Sequence, residues 1–169
     1  MRIAVDANVL MDEENGDADV LDALSVIRKR IARVQFFATE TVTQELAWLS
    51  ANGATSLRRT LATGALMQLL VRGYTPLAMS AVERGIAGEI GLKLRMKNII
   101  PHEEENDATL LAEAALKGCE ILLTSDQHLL EANKDAEKFW NVLKDSDVQA
   151  HQIIIARPRE IVRSFSLSR

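Results

Sequence analysis

The chain opens with Arg2-Ile3-Ala4-Val5-Asp6, a short apolar run that ends abruptly in a carboxylate. The same pattern recurs at Ile121-Leu122-Leu123-Thr124-Ser125-Asp126. Short apolar runs of this kind are typical of buried strands in a parallel sheet. Both runs therefore predict strands that carry an acid at their carboxyl ends. In an open α/β sheet, that edge is where ligands bind.

Two further acids, Glu45 and Asp107, belong to predicted helices that could lean over the same edge of the sheet. Four carboxylates gathered in one place repel one another, and a divalent cation would remove that cost. Hard oxygen ligands suit Mg²⁺ or Mn²⁺. The sequence therefore predicts a metal site, with Asp6 and Asp126 as the best direct ligands and Asp107 joining them or orienting a metal-bound water. Glu45, with its longer reach, is suited to a water-mediated contact or to the role of general base.

The rest of the chain alternates between strand and helix patterns, which predicts a parallel sheet with helices on both faces. Extended segments are predicted at residues 2–6, 35–38, 74–77, 121–124 and 152–156. Helices are predicted at about 18–33, from Thr39 or Thr41 to Asn52, and at about 55–71, 79–96, 107–117, 127–133 and from Pro158 onwards. Residues 12–17 are predicted to form an acidic loop. Gly85, Gly88 and Gly91 recur at a spacing of three, which suggests close packing of their helix against another.

Length and composition favour one domain spanning 1–169. The chain is 47% hydrophobic, enough for a sizeable core. No run approaches the roughly 18 apolar residues that a membrane span needs. Asp6 interrupts the early apolar stretch, so no signal peptide is expected. Cys119 is the single cysteine, which excludes an intramolecular disulfide, fits a reducing cytoplasm and is expected to pack as a small apolar residue.

The formal net charge of −4 argues against a strongly basic nucleic-acid binder, but a nuclease with acids concentrated at a metal site remains compatible with it. Basic residues do cluster locally, and most such clusters are solvated helix faces. Two of them are candidates for a basic rim that would steer RNA phosphates. They are Arg28, Lys29, Arg30 and Arg33, or Lys93, Arg95 and Lys97.

Each acid also has a structural explanation. Aspartate is favoured as a helix N-cap, which would account for Asp6 and Asp126. The helix dipole would account for Asp107, and Glu45 could be a solvated helix charge. Glu113 is expected to be a surface charge rather than a fifth metal ligand.

The histidines and tryptophans give little support for a second functional site. The three histidines, His102, His128 and His151, lack zinc spacing, although His128 is close to Asp126. Trp48 and Trp140 are expected in the core or in an interface.

Four segments, in order, resemble the motifs of PIN domains, a family of metal-dependent ribonucleases that includes toxins of toxin–antitoxin pairs. They are residues 5–10 (VDANVL), 41–46 (TVTQEL), 106–115 (NDATLLAEAA) and 123–129 (LTSDQHL). The helix that begins at Pro158 also resembles the closing helix of the family. The resemblance covers nearly the whole chain.

This resemblance implies a Rossmann-like α/β fold with a central parallel sheet of about five strands flanked by helices. It implies a catalytic quartet of Asp6, Glu45, Asp107 and Asp126, with Mg²⁺ or Mn²⁺ held by Asp6, Asp107 and Asp126. Asn8 would help organise the first loop. The expected substrate is single-stranded RNA, and the expected partners are a protein antitoxin and a second copy of the chain.

Two other functions remain open from the sequence. One is a PIN-like module that binds nucleic acid or acts as a scaffold without turnover. The other is a phosphatase with an aspartate nucleophile after the first strand. That chemistry usually needs a second acid two positions after the first, where this chain has Asn8. No phosphate-binding Gly-rich loop follows a strand.

Overall fold

Five parallel strands form one sheet in the computed structural model, which describes residues 1–146 and 152–167, with side chains to residue 163. The strand order is β3-β2-β1-β4-β5, and every neighbouring pair is parallel. The strands are β1 (Arg2–Val5), β2 (Gln35–Ala38), β3 (Tyr74–Pro76), β4 (Ile121–Leu123) and β5 (Ile154–Ala156). The predicted five-stranded α/β architecture is confirmed.

Helices connect the strands and flank the sheet. They are α1 (Ala7–Glu14), α2 (Ala18–Arg30), α3 (Glu40–Asn52), α4 (Ser56–Gln68), α5 (Ala81–Met96), α6 (Glu105–Leu116), α7 (Gln127–Glu131), α8 (Ala136–Lys144) and α9 (Pro158–Leu167). Several begin at a side-chain cap that the sequence supplies. Thr39 caps α3 and Thr55 caps α4, while Ser80 and Glu83 form a reciprocal capping box at α5. Among the described residues, no helix is long and apolar enough to cross a membrane.

The order of the strands creates a crevice at the centre of the sheet. From β1 the chain moves outward through β2 and β3, and then returns to the other side of β1 to form β4 and β5. At such a reversal the helices diverge and leave space beyond the carboxyl ends of the two central strands. Val5 pairs with Leu123 there, and the backbone N–H of Asp6 donates to the carbonyl of Leu123 at 3.0 Å. The residues that follow β1 and β4 are therefore neighbours.

The core lies between the sheet and its helices. Ile3, Ala4 and Val5 of β1 and Leu122 and Leu123 of β4 are fully buried, as continuous apolar strands in a parallel sheet should be. Helices α5 and α6 pack against each other, and α3 and α4 form a helical hairpin. Cys119 is buried, and its burial raises the pKa of the thiol to about 11, which fits the predicted role as a packing residue.

Two segments differ from the sequence-based expectation. Residues 12–14, predicted within an acidic loop, are the last turn of α1. Glu13 is buried there and accepts a hydrogen bond from the Tyr74 hydroxyl at 2.7 Å, so a tertiary contact overrides the local charge pattern. No helix is predicted over residues 134–146, yet α8 lies there, with Phe139, Val142 and Leu143 buried on one face.

The prediction that three glycines line one packed helix face was wrong for two of them. A Cβ at Gly91 would lie 3.4 Å from the backbone of Ala108 and Thr109, so this glycine permits the close approach of α5 to α6. Gly85 and Gly88 face open space, with no atom within 4 Å of such a Cβ. A spacing of three drifts around an α-helix of 3.6 residues per turn, so three such positions do not share one contact line.

Candidate active site

Asp6 lies at the bottom of the central crevice, immediately after β1, with 4% of its surface exposed. Its Oδ1 accepts a hydrogen bond from the N–H of Ala7 at 2.6 Å, and its Oδ2 accepts one from the Thr124 hydroxyl at 2.6 Å. Asp6 is therefore the N-cap of α1, as its structural explanation predicted. The same residue also lines the crevice, so the capping and site roles are compatible.

Asp126 lies opposite, where the chain leaves β4 and enters α7. Its Oδ1 accepts hydrogen bonds from the N–H groups of His128 (2.7 Å) and Leu129 (3.4 Å), which makes it the N-cap of α7. Its own N–H donates to Thr124 Oγ1 at 2.8 Å. Thr124, fully buried, therefore connects Asp6 and Asp126 through one hydroxyl. Two short turns from adjacent strands hold both aspartates in fixed positions.

Helices bring the other two predicted acids to the same place. Glu45 lies on α3 and Asp107 lies in the first turn of α6. All four acids line one cavity of about 240 Å³ at the carboxyl edge of the sheet. The full lining comprises Asp6, Asn8, Met11, Glu45, Arg58, Glu104, Asn106, Asp107 and Asp126. The convergence expected from the sequence is thus observed, while the catalytic role of these residues stays a prediction.

The surroundings of the acids favour their neutral forms. Burial is the main cause of a rise in the pKa of Asp6 to about 7, although the Thr124 hydrogen bond opposes it. Burial, followed by the charges of Asp126 and Asp6, raises the pKa of Asp107 to about 8. Burial also raises the pKa of Glu45, against the lowering effect of Arg58. The cavity therefore gathers carboxylates whose charged forms Arg58 compensates only in part.

Asp107 provides a test of whether a cation would fit. Its Oδ2 is buried and has no hydrogen-bond partner among the described residues. Buried polar atoms are normally satisfied, and an orphaned carboxylate oxygen that faces other acids is a suitable ligand for a hard divalent cation. Oxygen or nitrogen atoms of Glu104, Asp107 and His128 also lie within 4.8 Å of one another. The donor set fits a divalent metal.

His128 and Glu104 extend the site beyond the predicted quartet. His128 Nδ1 lies 3.4 Å from Glu104 Oε1 and 3.8 Å from Asp126 Oδ1. His128, which the sequence places close to Asp126, therefore faces the acids while its side chain stays partly exposed. His102 is exposed, and His151 lies outside the described residues.

Arg58 is a site residue that sequence reasoning missed. It belongs to the first turn of α4, and its charge lowers the pKa of Glu45. Its guanidinium makes no hydrogen bond or salt bridge within the described part of the chain, and the residue is exposed. Its only sequence signal was the pair Arg58-Arg59. The placement of Arg58 depends on the α3–α4 hairpin folding over the crevice, which no local pattern reveals.

The expectation that Glu113 is a surface charge was wrong. Glu113 is 3% exposed, and its Oε2 accepts a hydrogen bond from the N–H of Thr41 at 3.0 Å. It therefore satisfies a free N–H in the first turn of α3. Its chain neighbours in α6 are nearly all buried, so an apolar environment surrounds this acid. By holding α3 against α6, Glu113 positions Glu45 relative to Asp107.

The first candidate for a basic rim is on the wrong edge of the sheet. Arg28 lies at the end of α2, where its guanidinium stacks over the rings of Phe36 and Tyr74 and donates to the carbonyl of Arg72, just before β3. This is the amino edge, opposite the acidic cavity, and Lys29, Arg30 and Arg33 follow Arg28 there.

The second basic cluster is already paired. Lys93 contacts Glu89 at 2.7 Å, Arg95 contacts Glu105 at 3.7 Å and Lys97 contacts Asp145 at 3.6 Å. These charges are engaged within the chain, which leaves Arg58 as the basic residue that lines the acidic cavity.

The two tryptophans behave differently. Trp140 packs partly buried against the core, as expected, but 60% of Trp48 is exposed on α3. Trp48 lies one helical turn after Glu45 and lines a second cavity beside the acidic one. A core position is therefore ruled out for Trp48, because its face of α3 points away from the sheet, while the interface that the sequence offered as the alternative stays a prediction.

Comparison with known proteins supports the fold. The sequence matches no protein-family model and no curated protein at a significant level. The structure is similar to a chain in the crystal structure of VapBC2 from Rickettsia felis bound to a DNA fragment from their promoter. The TM-score is 0.59 at 14% sequence identity, over 93% of this chain and 98% of that one. At this identity the likeness establishes the fold, which is PIN-like, as the four motifs predicted.

Proposed function

We propose that this protein is a metal-dependent endoribonuclease that hydrolyses RNA phosphodiester bonds at Asp6, Glu45, Asp107 and Asp126. The observation that carries the proposal is the convergence of these four carboxylates in one cavity at the reversal point of the sheet. Buried like charges are costly unless a cation compensates them. Their concentration here supports a site built around a divalent metal.

Asp6, Asp107 and Asp126 are the proposed ligands of Mg²⁺ or Mn²⁺, with Glu104 and His128 close enough to Asp107 to assist. A metal held there supplies Lewis acidity, which activates water and neutralises charge on the phosphate. The turns after β1 and β4 fix two of the ligands before any metal binds. Such preorganisation lowers the cost of assembling the site.

The remaining residues have distinct proposed roles. Glu45 reaches into the cavity from α3, and its raised pKa brings it closer to the range in which a carboxylate accepts a proton from water effectively. Arg58 supplies a cation without an internal salt bridge in the described part of the chain, which suits contact with a phosphate. Thr124 is a positioning residue, because it acts through Asp6 and Asp126.

Two similarities support a proposal for the biological setting of this activity. The motif resemblance to a family that includes toxins, together with the fold shared with the VapBC2 structure, supports a protein antitoxin as a partner. We also propose a cytoplasmic location and a homodimer, as the family resemblance implies. Light scattering at micromolar concentration tests the dimer, because a monomer would scatter as 18.7 kDa.

A panel of single-stranded and double-stranded RNAs tests the proposed activity. We expect cleavage of single-stranded RNA in Mg²⁺ or Mn²⁺, none in EDTA, and none by Asp126→Asn. Asp22→Asn is a matched control, because Asp22 is an exposed aspartate of α2 outside the cavity. Binding of RNA without cleavage under any metal condition would instead favour the non-catalytic binding module.

A further inference from the structure

A second cavity lies directly beside the acidic one and shares Glu45 and Asn106 with it. Its volume is about 470 Å³, within the range of roughly 300–1,000 Å³ that is usual for small-molecule sites. Its lining residues come from α3 and α6. They are Thr41, Gln44, Glu45, Trp48, Glu105, Asn106 and Thr109. Because the two cavities adjoin, one ligand could place one of its groups here and another at the four carboxylates.

Trp48 is the unusual residue of this cavity. The other aromatic side chains that the structure describes are buried or half-buried, whereas 60% of Trp48 is exposed. Its indole makes no hydrogen bond within residues 1–146 and 152–163. Since Trp48 and Glu45 are three residues apart on α3, they share one face of the helix. The indole is therefore held next to the acidic cavity without a structural contact that explains it.

The polar lining suits an uncharged ligand with hydrogen-bonding edges. The amide of Asn106 has no hydrogen-bond partner among the described residues, and Gln44 uses only its amide nitrogen, donating to Glu40 Oε1 at 3.2 Å. Asn and Gln amides match the donor and acceptor pattern of nucleobase edges. The carboxylates of Glu45 and Glu105 disfavour a phosphate in this cavity. The neutral part of a nucleotide therefore fits better than its charged part.

We infer that this cavity binds an unpaired nucleobase of RNA, stacked on Trp48 and contacted at its edge by Gln44 and Asn106. The inference rests on the proposed ribonuclease function and adds a subsite next to the scissile phosphate. Stacking on an aromatic side chain requires a base that is not paired in a duplex. The subsite therefore selects single-stranded RNA and places one nucleotide relative to the four acids.

Binding measurements in an Asp126→Asn background test the subsite without cleavage of the probe. The probes are a short labelled oligoadenylate and an oligomer of equal length that lacks bases. Trp48→Ala should weaken oligoadenylate binding by about 5- to 100-fold, the usual effect of removing one stacking partner. Trp48→Phe should retain most of the affinity. The base-free oligomer should bind weakly and with no dependence on residue 48.

Leu70→Ala is the matched control. Leu70 is 73% exposed, lies just before β3 at the amino edge of the sheet, and lines neither cavity, so its truncation should leave affinity unchanged. A second measurement follows Trp48 directly. In Trp140→Phe, the remaining indole fluorescence should be quenched by oligoadenylate in a saturable manner and left unquenched by the base-free oligomer. Far-ultraviolet circular dichroism checks that each variant is folded.

Two outcomes would overturn the subsite. One is unchanged oligoadenylate affinity in folded Trp48→Ala, and the other is an equal loss with the base-free oligomer. These experiments distinguish a failure of the subsite from a failure of the proposed ribonuclease function. If the wild-type protein cleaves RNA and Trp48→Ala binds it equally well, the subsite fails alone. If no RNA is cleaved but base binding depends on Trp48, the catalytic proposal fails and the subsite stands.

Discussion

The hydroxyl of Thr124 donates a hydrogen bond to Asp6 Oδ2 at 2.6 Å and accepts one from the backbone N–H of Asp126 at 2.8 Å. One buried side chain thus fixes the spacing between the acids that follow β1 and β4. We predict that Thr124→Val, similar in shape, leaves both partners unsatisfied. It should lower the free energy of unfolding by about 1–3 kcal/mol. Activity should fall as well, because Asp6 loses the hydrogen bond that lowers its pKa.

Thr124→Ser is the control for this prediction, since it keeps the hydroxyl and removes only a methyl group. Urea unfolding and the pH profile of cleavage together separate a structural from a positioning role. A merely structural residue would change stability without moving the pH profile. We expect Thr124→Val to shift the acidic limb of the profile to higher pH, and Thr124→Ser to leave it in place.

Stability without metal should depend on pH through Asp107. Its pKa is raised to about 8 in the folded protein, whereas an unfolded aspartate ionises near pH 4. Between these values the folded protein holds a proton that the unfolded chain has released. The contribution of this group to stability is therefore present below about pH 4, falls as pH rises towards 8 and is absent above that. Asp6 adds the same trend up to about pH 7.

Asp107→Asn should remove part of this dependence of stability on pH. In EDTA, the free energy of unfolding of the variant minus that of the wild type should grow from pH 5 to pH 8. We expect about 1–2 kcal/mol in favour of the variant at pH 8, less than a full conversion of the pKa shift because Asp107 is partly exposed to solvent. Asp22→Asn should show a flat difference. A difference for Asp107→Asn that shrinks over this range would contradict the assigned cause.

Metal binding should favour the stability of the wild type over that of Asp107→Asn, the opposite of the order expected in EDTA. A cation that binds only the folded state stabilises it in proportion to the logarithm of its concentration. Millimolar Mg²⁺ or Mn²⁺ at pH 8 should therefore raise the melting temperature of the wild type and of Asp22→Asn by a few degrees. Asp107→Asn should gain much less. Equal shifts for all three proteins would show that the ions bind elsewhere.

Arg58 should contribute to phosphate binding. When a protein loses one basic residue that contacts a phosphate of single-stranded RNA, the slope of log affinity against log salt concentration becomes shallower by about 0.7. We predict that change for Arg58→Ala, measured with Asp126→Asn to prevent cleavage. Arg30→Ala, at the amino edge of the sheet, should leave the slope unchanged. A shallower slope for Arg30→Ala and an unchanged slope for Arg58→Ala would instead support the basic rim at Arg28 to Arg33 that the sequence suggested.

The parts of this molecule that sequence patterns predicted are those set by local chemistry. Continuous apolar runs located β1 and β4, and the acids at their ends followed directly. Arg58 was missed because its place in the cavity depends on how the α3–α4 hairpin folds over the sheet. For Trp48 the sequence allowed either the core or an interface, and the structure excludes the core, because that choice depends on which face of α3 packs against the sheet.

Glu113 was the avoidable error. It lies in the second half of α6, where every other residue from Leu110 to Leu116 is apolar, and a helical stretch that is apolar on every face is buried. An acid inside such a helix must find a buried donor, and the N–H of Thr41 is that donor. The misplaced basic rim has a different origin, since charge patterns do not reveal which edge of a sheet a helix end reaches.

The central claim is that four converging carboxylates act through a divalent metal, and reversible metal removal during RNA cleavage tests it most directly. A single-stranded RNA is incubated with the wild type, Asp22→Asn or Asp107→Asn, first with Mn²⁺, then with EDTA, then with excess Mn²⁺. We predict that the wild type and Asp22→Asn cleave, stop and resume, while Asp107→Asn is inactive throughout. Cleavage that continues in EDTA, or that Asp107→Asn performs at the wild-type rate, would contradict the account.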